Sequence, residues 1–185
     1  MRSAGPIYST IYESEPFGPI TLASDGENLV GLWLEGQKYY AATVAGEMTP
    51  NDDAAPFAQT REWLDRYFAG QRPDPTELPL APLGSAFRQR VWEKLLEIPY
   101  GSTCTYGDIA TALAREDGKE KMSAQAVGGA VGHNPISIII PCHRVVGSNG
   151  SLTGYAGGID KKVRLLEHEG ALSEDFFIPT KGTAL

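Results

Sequence analysis

Cys142 and His143 stand side by side at the end of an apolar run, Ile136-Ser137-Ile138-Ile139-Ile140-Pro141, and Arg144-Val145-Val146 follows them. A thiol attacks only as the thiolate, and an ordinary cysteine is mostly protonated near neutral pH. It therefore needs a base or a positive charge close by. His143 can be the base, and Arg144 adds the charge. The imidazole in turn needs an acceptor to orient it. Glu167 and Glu169, at the end of the last helical stretch, both qualify. Adjacent residues on a strand point to opposite faces, so His143 reaches the thiol only through a turn or a bridging water. The alternative is a Cys-His pair that packs and does no chemistry.

The elements around this pair set how it is held. A short run of β-branched residues reads as a buried strand, and a proline stops its ladder. The expectation is a nucleophile delivered at the end of a rigid core strand. Before it, Ser123 caps a helix over 124–132, Ala-Gln-Ala-Val-Gly-Gly-Ala-Val-Gly, which Asn134-Pro135 ends. Its side chains are unusually small, and each helical glycine costs about 1 kcal/mol against alanine. Either the helix packs tightly on its neighbours, or it enters a narrow groove such as the minor groove of DNA. Upstream, Thr105-Tyr106-Gly107-Asp108 has capping-box spacing and opens a helix to about Ala114. Arg115–Lys121 is a charged connector. The two helices read as a helix-turn-helix. Ser85 caps a helix over 86–97, and Asp160 caps a last one over 161–169, closed by Gly170.

The first part of the chain has another character. Residues 7–12, 20–23 and 29–34 read as antiparallel strands, with turns at Gly18-Pro19 and Asp25-Gly26. Phe57, Trp63, Leu64, Tyr67 and Phe68 form a stripe on a helix near 54–69. Pro73, Pro75, Pro79 and Pro82 make an extended linker. The reading is an α+β chain of two domains, 1–80 with the linker and 81–185.

Composition narrows the function. The chain has 185 residues and a net charge of -7. Residues 1–80 hold 5 basic and 12 acidic side chains, while residues 81–185 hold 11 of each. The acid excess speaks against simple electrostatic nucleic-acid binding, but the second part is neutral and can meet DNA on one basic face. No apolar run reaches the roughly 20 residues of a membrane span, and the N-terminus has no signal-peptide core. With two cysteines, Cys104 and Cys142, a reducing cytoplasm fits better than a disulfide scaffold. The three histidines, His133, His143 and His168, show no metal-ligand spacing, so no metal is expected. Cys104 reads as a small packing residue on a short strand.

Several spaced motifs together carry a resemblance. They are Val127-Gly128-Gly129-Ala130, Asn134-Pro135, Ile140-Pro141-Cys142-His143-Arg144-Val145-Val146, Gly154-Tyr155-Ala156-Gly157-Gly158 and Leu165-Leu166-Glu167-His168-Glu169-Gly170. Over about residues 84–171 the chain resembles the O6-alkylguanine-DNA alkyltransferases. The N-terminal part is similar only in length and coarse pattern to that family's ribonuclease-H-like domain, and the resemblance makes the C-terminal domain winged-helix-turn-helix-like. It implies repair of double-stranded DNA: binding in the minor groove, rotation of the damaged guanine out of the stack, and irreversible transfer of its alkyl group to Cys142. No cofactor is implied, and a monomer is expected. A base inside a duplex cannot reach a buried thiol, so extrusion fits the chemistry.

Matched by position, the resemblance makes Cys142 the nucleophile, His143 its base through a water, and Glu169 the residue that orients His143. Asn134 would hydrogen-bond near the thiol, and Tyr106 would polarise the departing guanine and press on a phosphate. Val145, Tyr155 and Ala156 would line the base pocket. Arg88, Ser123, Gln125, Ala126 and Ser148 would lie near DNA. Three departures stand out. Gln125 occupies the place of an arginine that fills the gap left by the flipped base. Ala156 stands where some relatives have a serine. Ser137 replaces a proline near the pocket mouth, which would admit larger alkyl groups. The rival readings are a lesion-binding module without transfer, a Cys-His hydrolase and a transcription regulator.

Overall fold

In the computed structural model, which describes residues 5–180, the chain divides into two compact units. One is the chain up to Gly84 together with Pro135–Ile139, and the other is Ser85–Asn134 together with the chain from Ile140 onward.

The first unit is built on a four-stranded sheet. Strands β1 (Ile7–Ser14), β2 (Gly18–Ser24) and β3 (Leu29–Leu34) pair antiparallel, and β4 (Met48–Pro50) adds a short parallel edge beside β1. The pattern-based expectation lacked β4, because three residues carry no periodicity to read. The Asp25 carboxylate accepts from the N–H groups of Glu27 and Asn28 and so shapes the β2–β3 turn. All six residues of β3 are buried. Helix α1 (Phe57–Phe68) buries Phe57, Trp63, Leu64 and Tyr67 of the expected stripe and adds Thr60, while Phe68 is half-buried. Phe68 meets the rings of Tyr12 and Phe17. The proline-rich linker is ordered: Asp74 caps a 3-10 turn at Pro75–Glu77, and Leu80 bridges to Leu29.

One expectation is corrected here. Residues 136–140 are not a strand. Ile136 makes a single bridge to Leu32, and the chain then turns, with Ile138 at φ 70° and the Ile139 N–H donating to the Ser137 carbonyl at 2.8 Å. A positive φ is rare for a β-branched residue. The isoleucines serve burial, each at most 1 % exposed. Apolar, branched residues satisfy a core position in either conformation, so periodicity alone could not separate them.

The second unit holds α2 (Ala86–Leu96), β5 (Cys104–Thr105), α3 (Tyr106–Glu116), α4 (Ala124–Gly132), β6 (Val145–Val146) and α5 (Ile159–His168). Ser85 caps α2, a Thr105/Asp108 capping box opens α3, and Ser123 caps α4, each as its sequence demands. Asp160 does not cap α5. Gly158 holds that position without a side-chain bond, and Asp160 sits in the first turn, where a negative charge still suits the helix dipole. Helices α2, α3 and α4 pack on one another. The Trp92 indole donates to the Ala130 carbonyl at 2.9 Å, and Arg90 and Lys94 pair with Glu116 and Asp117 to tie α2 to the end of α3. Strands β5 and β6 pair in parallel, Cys104 opposite Val145. Among the described residues no helix is long and apolar enough to cross a membrane.

Candidate active site

Cys142 opens a single 3-10 turn, Cys142–Arg144, that runs directly into β6. Pro141 precedes the turn, and the Cys142 N–H donates to the Ile140 carbonyl at 2.8 Å. This turn, rather than a strand end, resolves the strand problem: His143 and Arg144 follow the thiol around a bend and both reach α5. Glu169, the residue just past α5, is their meeting point, and Glu167 is exposed. The Glu169 carboxylate accepts from His143 Nε2 at 2.7 Å, from Arg144 Nε at 2.8 Å and from Arg144 Nη2 at 2.9 Å. Arg144 Nη1 donates to the Ile98 carbonyl at 2.7 Å. The side chains of His143 and Glu169 are fully buried.

The charges in this cluster follow from its contacts. Burial by itself raises the Glu169 carboxyl, but the hydrogen bonds and charges of His143 and Arg144 outweigh it and hold the group well below the usual carboxylate range. Glu169 is therefore a carboxylate, and His143 Nε2 donates to it. Burial lowers the basicity of His143 despite that partner, so the ring is neutral near pH 7. In that tautomer Nδ1 is an acceptor, and among the described residues no group bonds it.

The thiol itself is 4 % exposed. Burial pushes it up and prevails, although a hydrogen bond from the Asn134 side chain, the charge of Lys162 and the N–H groups of Cys142 and His143 pull the other way. The Asn134 amide also donates to the Ile140 carbonyl at 2.8 Å, which fixes it beside the cysteine turn.

Lys162 escaped sequence reasoning. It is fully buried, and its Nζ donates to the carbonyls of Val145 at 2.5 Å and Thr153 at 3.2 Å. Burial lowers its pKa to about 8, against the attraction of Cys142. A signal existed: Lys162, Leu165, Leu166 and Glu169 lie on one helical face at i, i+3, i+4 and i+7, so a lysine shares the stripe of two buried leucines.

Tyr106, at the start of α3, donates its hydroxyl to the Thr153 carbonyl at 2.9 Å. Burial, with Cys142 and Cys104 nearby, keeps that phenol protonated. Gly154 is held at φ 83°, and a Cβ there would lie 2.7 Å from the Tyr106 hydroxyl, so the loop needs glycine on both counts. Val145 and Tyr155 are buried beside the turn, and Ala156 is half-buried. Ser123, Gln125, Ala126 and Ser148 are exposed, and Arg88 is half-buried on α2. Ser137 belongs to the first unit, where its buried hydroxyl donates to Gln37 at 3.0 Å. Among the described residues no group of three or more His, Cys, Asp or Glu could hold a metal ion.

A buried cysteine thus lies amid a histidine–carboxylate pair, an amide and a lysine, in a unit with capped, packed helices. Comparison with known proteins identifies the class. Residues 86–171 match the 6-O-methylguanine DNA methyltransferase, DNA binding domain, and residues 7–82 match the ribonuclease-like domain of the same methyltransferases. A methylated-DNA–protein-cysteine methyltransferase of Mycobacterium bovis is 45% identical over 88% of this chain and 91% of its own length. One of Methanosarcina acetivorans is 45% identical over 89% and 99%. The crystal structure of Mycobacterium tuberculosis OGT in complex with DNA superposes with a TM-score of 0.75 at 41% identity, covering 91% of this chain and 96% of that one. An O6-methylguanine DNA methyltransferase from Methanococcus jannaschii gives 0.61 at 32% identity, covering 91% and 97%. The chain belongs to the 6-O-methylguanine DNA methyltransferase family. The activity of that family is DNA repair by alkyl transfer from DNA to a protein cysteine, and this chain is an enzyme of that kind.

Proposed function

We propose that Cys142 is the acceptor and takes the alkyl group of an O6-alkylguanine rotated out of duplex DNA. The observation that carries this reading is the immediate surrounding of the thiol. Burial keeps the thiol protonated at rest, Asn134, Lys162 and two backbone N–H groups work against burial in favour of the ionised form, and a neutral imidazole follows it in the chain with no bond to Nδ1 among the described residues.

The thiol proton passes to His143, and Glu169 and Arg144 hold the resulting imidazolium and its counter-charge in one network. The Cys142 sulfur then attacks the alkyl carbon. The S–C bond forms as the O6–C bond breaks, and the electron pair leaves with guanine. Tyr106, a protonated phenol, polarises the departing base once its hydroxyl leaves the Thr153 carbonyl. Val145, Tyr155 and Ala156 line its pocket. The product is a thioether, which is a poor leaving group, so each molecule acts once.

The exposed face of α4 supports entry into the minor groove. A Cβ at Gly129 or Gly132 would meet nothing within 4 Å, and one at Gly128 would only touch the Tyr106 ring at 3.8 Å. Tight packing inside the protein therefore does not demand these glycines, and close approach from outside does. Ser123, Gln125 and Ala126 at the start of α4, together with exposed Ser148 and half-buried Arg88, would supply contacts to DNA. The protein works as a monomer on DNA. Both Cys104 and Cys142 are free thiols, in keeping with a reducing cytoplasm.

The test is an intact mass after incubation with a duplex carrying O6-methylguanine. The wild type gains the mass of one methylene, and Cys142→Ala does not. Tight binding with no gain in mass makes the protein a lesion-binding module instead, and turnover on esters or peptides makes it a hydrolase.

A further inference from the structure

Among the described residues, two buried polar side-chain atoms of the second unit have no hydrogen-bond partner: His143 Nδ1, next to Cys142 in the chain, and the Tyr155 hydroxyl. The first is an acceptor and is accounted for by the departing proton. The second is a donor, and nothing described above uses it. A buried hydroxyl left unbonded is destabilising, so its persistence asks for a partner that forms during the reaction.

The position of Tyr155 is fixed by its backbone. Gly158 N–H donates to the Tyr155 carbonyl at 3.1 Å, and the Thr153 carbonyl two residues earlier holds Tyr106 and Lys162 together. Gly154, between them, is confined against the Tyr106 hydroxyl. The ring is 8 % exposed, so the hydroxyl faces the protein interior. The charges that act on it are those of Cys142 and then Glu169, after the effect of burial itself.

We propose that the Tyr155 hydroxyl is the uncommitted donor for the Cys142 sulfur, bonding the thiolate directly or through one water once the thiol has lost its proton. The other groups around the thiol are already engaged. His143 and Arg144, on its own turn, are bound to Glu169 at the end of α5. Lys162 of α5 holds two carbonyls, and Tyr106 of α3 holds one of the same pair. Asn134 divides its amide between the thiol and the Ile140 carbonyl. Among the hydroxyl and N–H donors named here, the Tyr155 hydroxyl is the one with no bond to any described residue. No bond to Tyr155 is made or broken in the transfer, and its phenol keeps its proton throughout because burial disfavours the phenolate. His143 takes the proton, and Tyr155 steadies what the proton leaves behind.

The inference rests on the reading that Cys142 reacts, but its test does not need DNA. The thiolate absorbance of the wild type and of Tyr155→Phe is titrated, each against its own Cys142→Ala counterpart so that Cys104 and the tyrosines cancel. Losing one hydrogen bond to an ion lowers the thiolate fraction near neutral pH about tenfold. The Cys142 titration of Tyr155→Phe therefore moves to higher pH, and the pH profile of methyl transfer moves with it. Phenylalanine fills the same space without an unbonded hydroxyl, so the variant melts at or above the wild-type temperature. An unchanged Cys142 titration overturns the role of Tyr155 and leaves alkyl transfer standing. A lower melting temperature with an unchanged titration likewise reduces Tyr155 to a packing residue. Failure of the wild type to gain mass from methylated DNA overturns the function instead, while the titration still decides Tyr155.

Discussion

Glu169 shows how a single buried carboxylate organises the residues that follow Cys142. It orients His143, fixes the tautomer that leaves Nδ1 as the acceptor, and neutralises Arg144, whose guanidinium is itself buried. Removing one partner of a buried ion pair strands the other, which costs about 3–5 kcal/mol. Glu169→Gln keeps the shape and removes the charge. It is expected to destabilise the protein by that amount in urea unfolding at pH 7, and to slow methyl transfer. The pH dependence has a definite sign. The folded state holds Glu169 below its unfolded value, so its stabilisation is complete above about pH 4.3, the ordinary value for glutamate. It drains away as the pH falls below that point. The gap between wild type and Glu169→Gln should therefore close in acid, and a gap that stays constant to pH 3 would sink the assignment. At this scale the sequence was informative where chemistry is local. Cys142, His143 and a choice between Glu167 and Glu169 came from residue type and spacing, and geometry settled the choice. Lys162 stayed hidden because lysines usually lie on the surface, and only its place in a leucine stripe hinted otherwise.

The elements divide by how their signals work. Caps are short-range, and Ser85, Thr105 with Asp108, and Ser123 were legible because a side chain and a backbone N–H within three residues decide them. The cysteine turn was not legible, because burial of Ile136, Ile138, Ile139 and Ile140 is compatible with strand or turn, and the neighbours that decide lie far along the chain. Helix α4 is the element whose sequence and structure together say most. Its buried side is Val127, Ala130 and Val131, at i, i+3 and i+4, while Gly129 faces open space. On helix propensity alone, Gly129→Ala should stabilise the protein by about 1 kcal/mol. If α4 enters a groove, the added methyl meets DNA. The expected result is a higher melting temperature combined with a weaker affinity for duplex DNA. Equal affinity in the two proteins would return α4 to the role of an ordinary packing helix.

For the whole molecule the question is how a chain of net charge -7 meets a polyanion. The excess acid lies in residues 1–80, and residues 81–185, which include α3, α4 and the reaction centre, are balanced. Charges farther apart than about 8 Å are largely screened at physiological salt, so the acidic first part opposes association mainly at low ionic strength. Affinity then depends on few cations near the phosphates, and α4 presents Gln125 where an arginine would add one. Glutamine can bond the base left unpaired by a flipped guanine, but it displaces no counterion. Each phosphate neutralised by a cation steepens the dependence of log K on log salt by about 0.9 for B-DNA. Gln125→Arg should thus bind duplex DNA more tightly at low salt and lose that advantage as salt rises, with the slope steeper by about one such increment. Binding isotherms for both proteins across a salt series test this directly. A parallel pair of lines would mean that position 125 lies away from the phosphates, and an identical pair that it takes no part in binding at all.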